Sequence, residues 1–303
     1  MSEQKLSFRV VDKSEKNAEK IMRPTSMFLK DALYRFSRNK LGIVGFVIIV
    51  FMILFAIFGP YLIPFDYYTQ DLSNGFQAPD SVHWMGTDSL GRDMLVRLAY
   101  GARISLACGF VASLISLGIG VIYGAISGFV GGTLDNIMMR IVDIISSIPS
   151  MLYIILLMVV LGNSLTNVFI VIGITGWQGM ARLVRGEVLS LKEREFVLAA
   201  RVCNVSNWHI ITKHLIPNSF GPIIVSMTLS IPSAIFLEAS LQFLGLGITA
   251  PLPSWGGLAN EALSSLRSYP YLLLFPAFFI SITILAFNFL GDAMRDALDP
   301  KQN

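Results

Sequence analysis

Three histidines, two cysteines and a few carboxylates in apolar surroundings are the residues with which this chain of 303 could do chemistry. His209 and His214 stand five apart, whereas a helical metal pair is spaced by four. No carboxylate cluster accompanies them or His83, so no metal site is expected. His83 is expected to be wet in a loop, and His214 to shape a helix. Cys108 and Cys203 form no Cys-x-x-Cys, and no disulfide framework is indicated. No nucleophile has a base or metal ligands beside it at membrane depth, so enzymatic chemistry is not expected. The phosphate-cradling Gly-x-x-x-x-Gly-Lys-Ser/Thr is missing, and the dipeptide Gly-Lys does not occur. Any ATP must therefore be handled by a partner chain.

Two carboxylates sit in or beside apolar runs. Glu238 lies in "IFLEASLQF" with Gln242 one turn on, on the same helical face. An ionisable group at that depth is a candidate for a transport path, and equally for bracing a neighbouring helix. Asp143 follows Arg140 by three residues, which fits an intrahelical pair or a role in gating. Asp88 with Arg92, and Arg92 with Asp93, could order the start of a helix, with Trp84 suited to a membrane interface.

The elements that position these groups follow from composition. Hydrophobic residues make up 54% of the chain and charged ones 14%, and mean hydropathy is +0.64. Several apolar runs reach the roughly 20 residues that a bilayer core requires. The expected fold is an all-α polytopic membrane protein with six transmembrane helices, at about 42–63, 104–129, 141–161, 165–180, 220–243 and 271–290. Pro149, Pro222, Pro232 and Pro276 fall inside these runs. Gly109, Ser113, Gly118, Gly120 and Gly124 suit close helix contact in the second. Nineteen Lys and Arg residues fall on the side of the N-terminus and four on the other. Both termini are therefore expected in the cytoplasm.

The expected organisation is a cytoplasmic tail 1–41, a first span 42–63, an extracytoplasmic loop 64–100, a five-helix core 101–292 and a cytoplasmic tail 293–303. Phe28, Leu29, Ala32, Leu33 and Phe36 recur at helical spacing beside basic residues, as in a helix lying on a lipid surface. Trp255, Leu258, Ala262 and Leu266 are expected to face inward from a further interfacial helix.

Against this background the polar stretch 195–219, "EFVLAARVCNVSNWHIITKHLIPNS", stands out. It reads as a helix with Phe196, Val197, Ala200 and Cys203 on one face, an interruption at Asn204, and a second helix capped by Ser206. Trp208, Ile211 and Leu215 form a stripe on that second helix, and Pro217 is expected to end it. Such a cytoplasmic helix-turn-helix is too polar to insert and too long to be idle, which favours docking a partner.

Residues 198–217, "LAARVCNVSNWHIITKHLIP", resemble the EAA signature of ABC-importer permeases: E-A-A, three residues, G, nine residues, I-x-L-P. Ala199, Ala200 and Pro217 match, Leu198 replaces the Glu, Asn204 the Gly, and His214 and Ile216 the Ile and Leu. If that Gly adopts a left-handed turn, Asn is well able to replace it. "MGTDSLGRDMLVRLAYGARISL" (85–106, with Val96 for the usual Ser), "EASLQFLGLG" (238–247), "PSWG" (253–256) and "GDAMRDALDP" (291–300) are similar to stretches of the dipeptide, oligopeptide and nickel permeases. The likeness covers about 28–300 and points to the second permease type, with a short outer loop.

The resemblance implies the type I importer permease fold and one non-enzymatic half of a translocation pore. A homologous permease subunit would pair with it in the membrane lipid, and two ATP-binding subunits, holding ATP and Mg, would dock beneath. An extracytoplasmic binding protein would deliver peptide into a bacterial cytoplasmic membrane, and no cofactor of its own or nucleic-acid partner is implied. Arg201, Asn204, Trp208 and His214 would contact the ATPases, with Ala199, Ala200 and Pro217 setting the backbone. Introducing a charge or a bulky side chain at Ala200 is expected to uncouple ATP hydrolysis from uptake without unfolding the spans. The resemblance favours oligopeptides, with dipeptides or nickel as alternatives; a different class, an ion-gradient-driven carrier working through Glu238 and Asp143, also remains open.

Overall fold

The computed structural model describes residues 27–298. The tail before Met27 and the end of the Gly291–Pro300 motif lie outside these residues. Regular structure is helical, and among the described residues strand pairing is limited to one bridge between Thr87 and Asp93. The helices are α1 (Met27–Arg38), α2 (Lys40–Leu62), α3 (Met94–Val130), α4 (Gly132–Ser147), α5 (Ser150–Leu161), α6 (Leu165–Thr175) and α7 (Gln178–Leu191). There follow α8 (Glu195–Val202), α9 (Asn207–His209), a π-helical turn Ile210–Leu215, α10 (Ile216–Asn218), α11 (Phe220–Phe243), α12 (Trp255–Ala262) and α13 (Tyr271–Leu298). Five helices are long and apolar enough to cross a membrane, with α6 and α7 taken as one, and the bent pair α4–α5 makes a sixth. The chain is a multi-pass membrane protein.

Several boundaries depart from the sequence expectation. The long helix α3 begins at Met94 rather than near 104, inside the stretch expected as loop. Asp93 caps it, its carboxylate accepting the Val96 N–H at 2.9 Å. The third span is broken by 84° between α4 and α5. Pro149 sits at the bend, and a residue before proline disfavours helical backbone. The fourth span extends to Leu191, because Arg182 and Arg185 find carboxylate partners and need not end it. The last helix runs on to Leu298.

Glycine sets how closely α3 approaches its neighbours. Gly120, Gly124 and Gly128, four apart, line the face against α7. A methyl on Gly120 would come 2.6 Å from Met180 Cβ, and one on Gly128 would come 2.8 Å from the Arg185 carbonyl. Gly109 likewise receives Ile231 and Ile235 of α11, whereas Gly118 faces open space. This is the small-residue contact of membrane helices, where close backbone approach replaces the hydrophobic effect.

Pro60 lies inside α2 and lacks the N–H that would bond the Ala56 carbonyl. Arg103 of α3 fills the gap, donating to the carbonyls of Ala56 at 2.5 Å and Ile57 at 2.7 Å. Its guanidinium also lies over the rings of Tyr61 and Tyr100. At the other end, Asn39 separates α1 from α2 and accepts the Gly42 N–H. Ala32 of α1 turns inward, while Leu33 and Tyr34 remain exposed.

Three apolar clusters hold the bundle. One joins α2, α3, α11, α12 and α13 around Trp255 and Phe287, and another packs α5 and α6 on α3 and α11. The third joins Ala125 and Phe129 of α3, Val184 and Val188 of α7, Val197 of α8, and Ile210 and Leu215 of the π turn. Through it the polar segment is rooted in the membrane bundle. In α12, Trp255, Leu258 and Ala262 face inward as expected, but Leu266 lies beyond the helix and is 38% exposed.

Candidate functional site

The segment from Glu195 to Ser219 is built by local rules. Helix α8 ends with Asn204 in the left-handed region, at φ +57°. The Asn204 N–H bonds the Arg201 carbonyl and the Val205 N–H bonds the Ala200 carbonyl, at 2.9 and 3.0 Å. This paired closure is the Schellman ending, in which Asn is the ordinary residue that stands in for Gly. Ser206 then caps the next turn, its hydroxyl oxygen accepting the His209 N–H at 3.4 Å.

Beyond it the backbone widens. The Ile216 N–H reaches the Ile211 carbonyl, five residues back. Pro217 does not end the helix as the sequence implied. It falls in the first turn of α10, where a missing N–H costs little. The chain bends at Ser219, whose N–H and hydroxyl both bond the Leu215 carbonyl, and continues directly into α11.

The exposed and buried faces also differ from the expected stripes. Val197, Ala200, Ile210, Ile211 and Leu215 are buried, while Phe196, Cys203 and Trp208 point outward, Trp208 at 60% exposure. Ala199, Arg201, Asn204 and Pro217 are exposed and His214 is half-buried. The Arg201 guanidinium sits 5.4 Å from the Phe129 ring, at the end of α3. Spacing alone missed that the π turn brings the His209 and His214 rings within 5.9 Å. Among the described residues no group of three potential metal ligands forms. Of the seven residues read as coupling positions, Ala199, Arg201, Asn204, Trp208 and Pro217 are thus exposed, His214 is half-buried and Ala200 is buried.

Glu238 and Gln242 do share a face, and that face points into the bundle. Glu238 is fully buried, and one carboxylate oxygen accepts the Ser105 hydroxyl at 2.9 Å. Ser105 in turn accepts the Trp255 N–H at the start of α12. Gln242 donates to the Ile248 carbonyl at 3.3 Å and packs on Gly247. Both side chains thus tie α11 to α3 and to the loop before α12.

Charges elsewhere pair across helices. Asp143 bonds Arg182 of α7 at 3.1 Å, rather than Arg140 on its own helix. Asp135 receives Arg185 through two bonds of 2.5 and 2.6 Å and also the Ser127 hydroxyl. This pair, fifty residues apart, carries no sequence signal. In the loop before α3 Asp88 accepts from Arg92 at 2.6 Å, as spacing implied, and also from Arg97 of α3. Both arginines reach Glu261 in α12. Asp93 instead meets His83 at 2.9 Å, so His83 is buried and partnered rather than wet.

A family described as "Binding-protein-dependent transport system inner membrane component" matches residues 120–303. A second, "N-terminal TM domain of oligopeptide transport permease C", matches residues 27–79. The oligopeptide transport system permease protein OppC of Bacillus subtilis is 52% identical over 94% of this chain and 93% of its own length. The dipeptide transport system permease protein DppC of the same organism is 48% identical, over 95% and 91%. Among solved structures, the inward-facing MetNI methionine ABC transporter superposes with a TM-score of 0.56 at 19% identity. That match covers 68% of this chain and 98% of the other, a likeness of fold.

Proposed function

Because this chain belongs to the family of binding-protein-dependent transport system inner membrane components, we propose that it is one membrane subunit of an ATP-binding-cassette importer of short peptides. It carries no catalytic step. Two ATP-binding subunits bind and hydrolyse ATP, and a homologous permease completes the pore. A binding protein outside the cytoplasmic membrane hands over peptide, and both termini lie in the cytoplasm. The names of its relatives favour oligopeptides and dipeptides over an ion-gradient-driven substrate. The two carboxylates on which a gradient mechanism would depend are differently engaged: Glu238 is locked inside the bundle and Asp143 is paired at the surface.

The observation that carries the reading is a polar segment rooted in the membrane core yet presenting Arg201 and Trp208 outward, with His214 half-buried beside them. These residues, with Ala199, Asn204 and Pro217 shaping the backbone, form the surface that meets the ATPases. Ala200 lies beneath that surface, so a charge there disturbs packing as well as docking. Trp208→Ala and Arg201→Glu are the cleaner probes. Tagged purification from native membranes is expected to bring down a second permease and ATP-binding subunits in near-equal amounts. Both variants should lose bound ATPase and peptide uptake while the two permeases stay paired. Uptake that survives both variants, or a chain that purifies alone and stable, would refute the assignment.

A further inference from the structure

The α6–α7 span is interrupted at Gly176–Trp177, and a cavity of about 250 Å³ opens beside the interruption. Ser116 of α3, Gly176 and Gly179, and Ser226 and Ser230 of α11 contribute to its lining. One ordered water needs only about 10–15 Å³ of such space. All five positions fall well inside membrane-spanning helices. The outward surface elsewhere is made of side chains such as Phe236, Phe278 and Val160. Hydroxyls and broken backbone at that depth are tolerated against protein or water-filled space, not lipid.

Gly179 sharpens the distinction. Gly120 and Gly124 are glycines because a neighbour occupies the place of a side chain, but a methyl on Gly179 would meet nothing within 4 Å. The lining hydroxyls are also suited to a ligand. Ser116 and Ser230 donate to the carbonyls of Gly173 and Met227, which leaves their oxygens able to accept. Ser226 makes no side-chain hydrogen bond among the described residues. No charged residue lines the cavity; Arg182, one turn from Gly179, is held by Asp143 and Ser146. A neutral lining of serine hydroxyls and glycine backbone among the apolar Leu117, Met180 and Leu229 suits amide groups and lacks the carboxylates or imidazoles that a metal cation would need. Interrupted membrane helices mark binding sites in other transporters for the same reason, their exposed backbone.

We propose that this cavity is where the subunit touches the main chain of a peptide in transit, reading amides common to all peptides rather than particular side chains. The proposal rests on the importer reading above. It is tested by placing cysteine at Ser226, Ser230 and lipid-facing Phe278 in a Cys203→Ser background, Cys108 being buried, within the purified complex. A charged methanethiosulfonate is expected to modify the two cavity cysteines about tenfold faster than Phe278→Cys, since thiol reactivity follows access to water. Binding protein, ATP and short casein peptides should slow that modification. Gly179→Leu, whose Cβ would meet no neighbour within 4 Å, should block uptake with the ATPases still bound.

Cavity cysteines no faster than Phe278→Cys would overturn the proposal. So would their cross-linking to the second permease regardless of peptide, which would make this face an interface. A complex that takes up casein peptides while these cysteines stay inert sinks only the cavity. A complex with no ATP-dependent uptake at all sinks the importer reading.

Discussion

At the residue scale, several side chains complete what a neighbour's backbone lacks. Arg103 serves the carbonyl that Pro60 leaves without a donor, so the two residues form a unit across α2 and α3. Arg103→Ala is expected to destabilise the protein by about 1–3 kcal/mol, the penalty for a carbonyl left without a partner. In a Pro60→Ala background the loss should shrink, and a double-mutant cycle on thermal unfolding in detergent measures that coupling. Additive losses would separate the pair. Asp80 offers a pH test outside the membrane. Backbone N–H groups of His83 and Val82 hold its carboxyl below the ordinary 3.8. A lowered folded pKa means that its contribution is complete above 3.8 and lost as pH falls through the lower folded value. Hydrogen-exchange protection at Val82 and His83 should therefore hold from neutral pH down to that range and then fall. The Asp88–Arg92 pair was legible from spacing of four. The Asp93–His83 and Asp135–Arg185 pairs were not, because each joins residues that only the fold brings together.

At the scale of elements, sequence reasoning found all six apolar runs but placed both ends of only two closely, and failed where breaks and charges decide. The first and fifth spans agree within a residue or two, since uniform apolar runs end where polarity begins. The break at Pro149, the extension of α7 and the passage of the chain through Pro217 depended on backbone geometry and on distant partners, which hydropathy does not encode. Asn204 was legible, because left-handed backbone restricts the residues that can occupy it. Asn204→Gly is expected to retain coupling and stability. Asn204→Val should cost about 1–2 kcal/mol through the left-handed strain on a branched side chain, and release bound ATPase on purification. Full ATPase retention in Asn204→Val would show that the α8 ending does not govern docking.

At the scale of the whole molecule, the uneven distribution of Lys and Arg predicts an orientation for the bundle, and its single exposed cysteine among the described residues can test that orientation. A membrane-impermeant maleimide should label Cys203 in inside-out vesicles and not in right-side-out ones, and added ATPase subunits should shield it. Labelling from the outside would invert the topology. Composition made the multi-pass helical class easy to read. The cavity was not readable, because its lining comes from three separate helices and its walls are ordinary serines and glycines. The chain between Asn207 and Phe243 departs from helical winding only at Ser219, and it includes one wide turn with five-residue bonding. Such a turn holds one residue more than an α-helix would. Deleting a single residue between Ile210 and Leu215 would let the turn tighten, and each α-helical residue carries about 100° of rotation. The docking face and Ser226 would then fall out of phase. In mechanical terms, the wide turn indexes a shaft: it fixes which side of α11 faces the cavity when the far end is gripped.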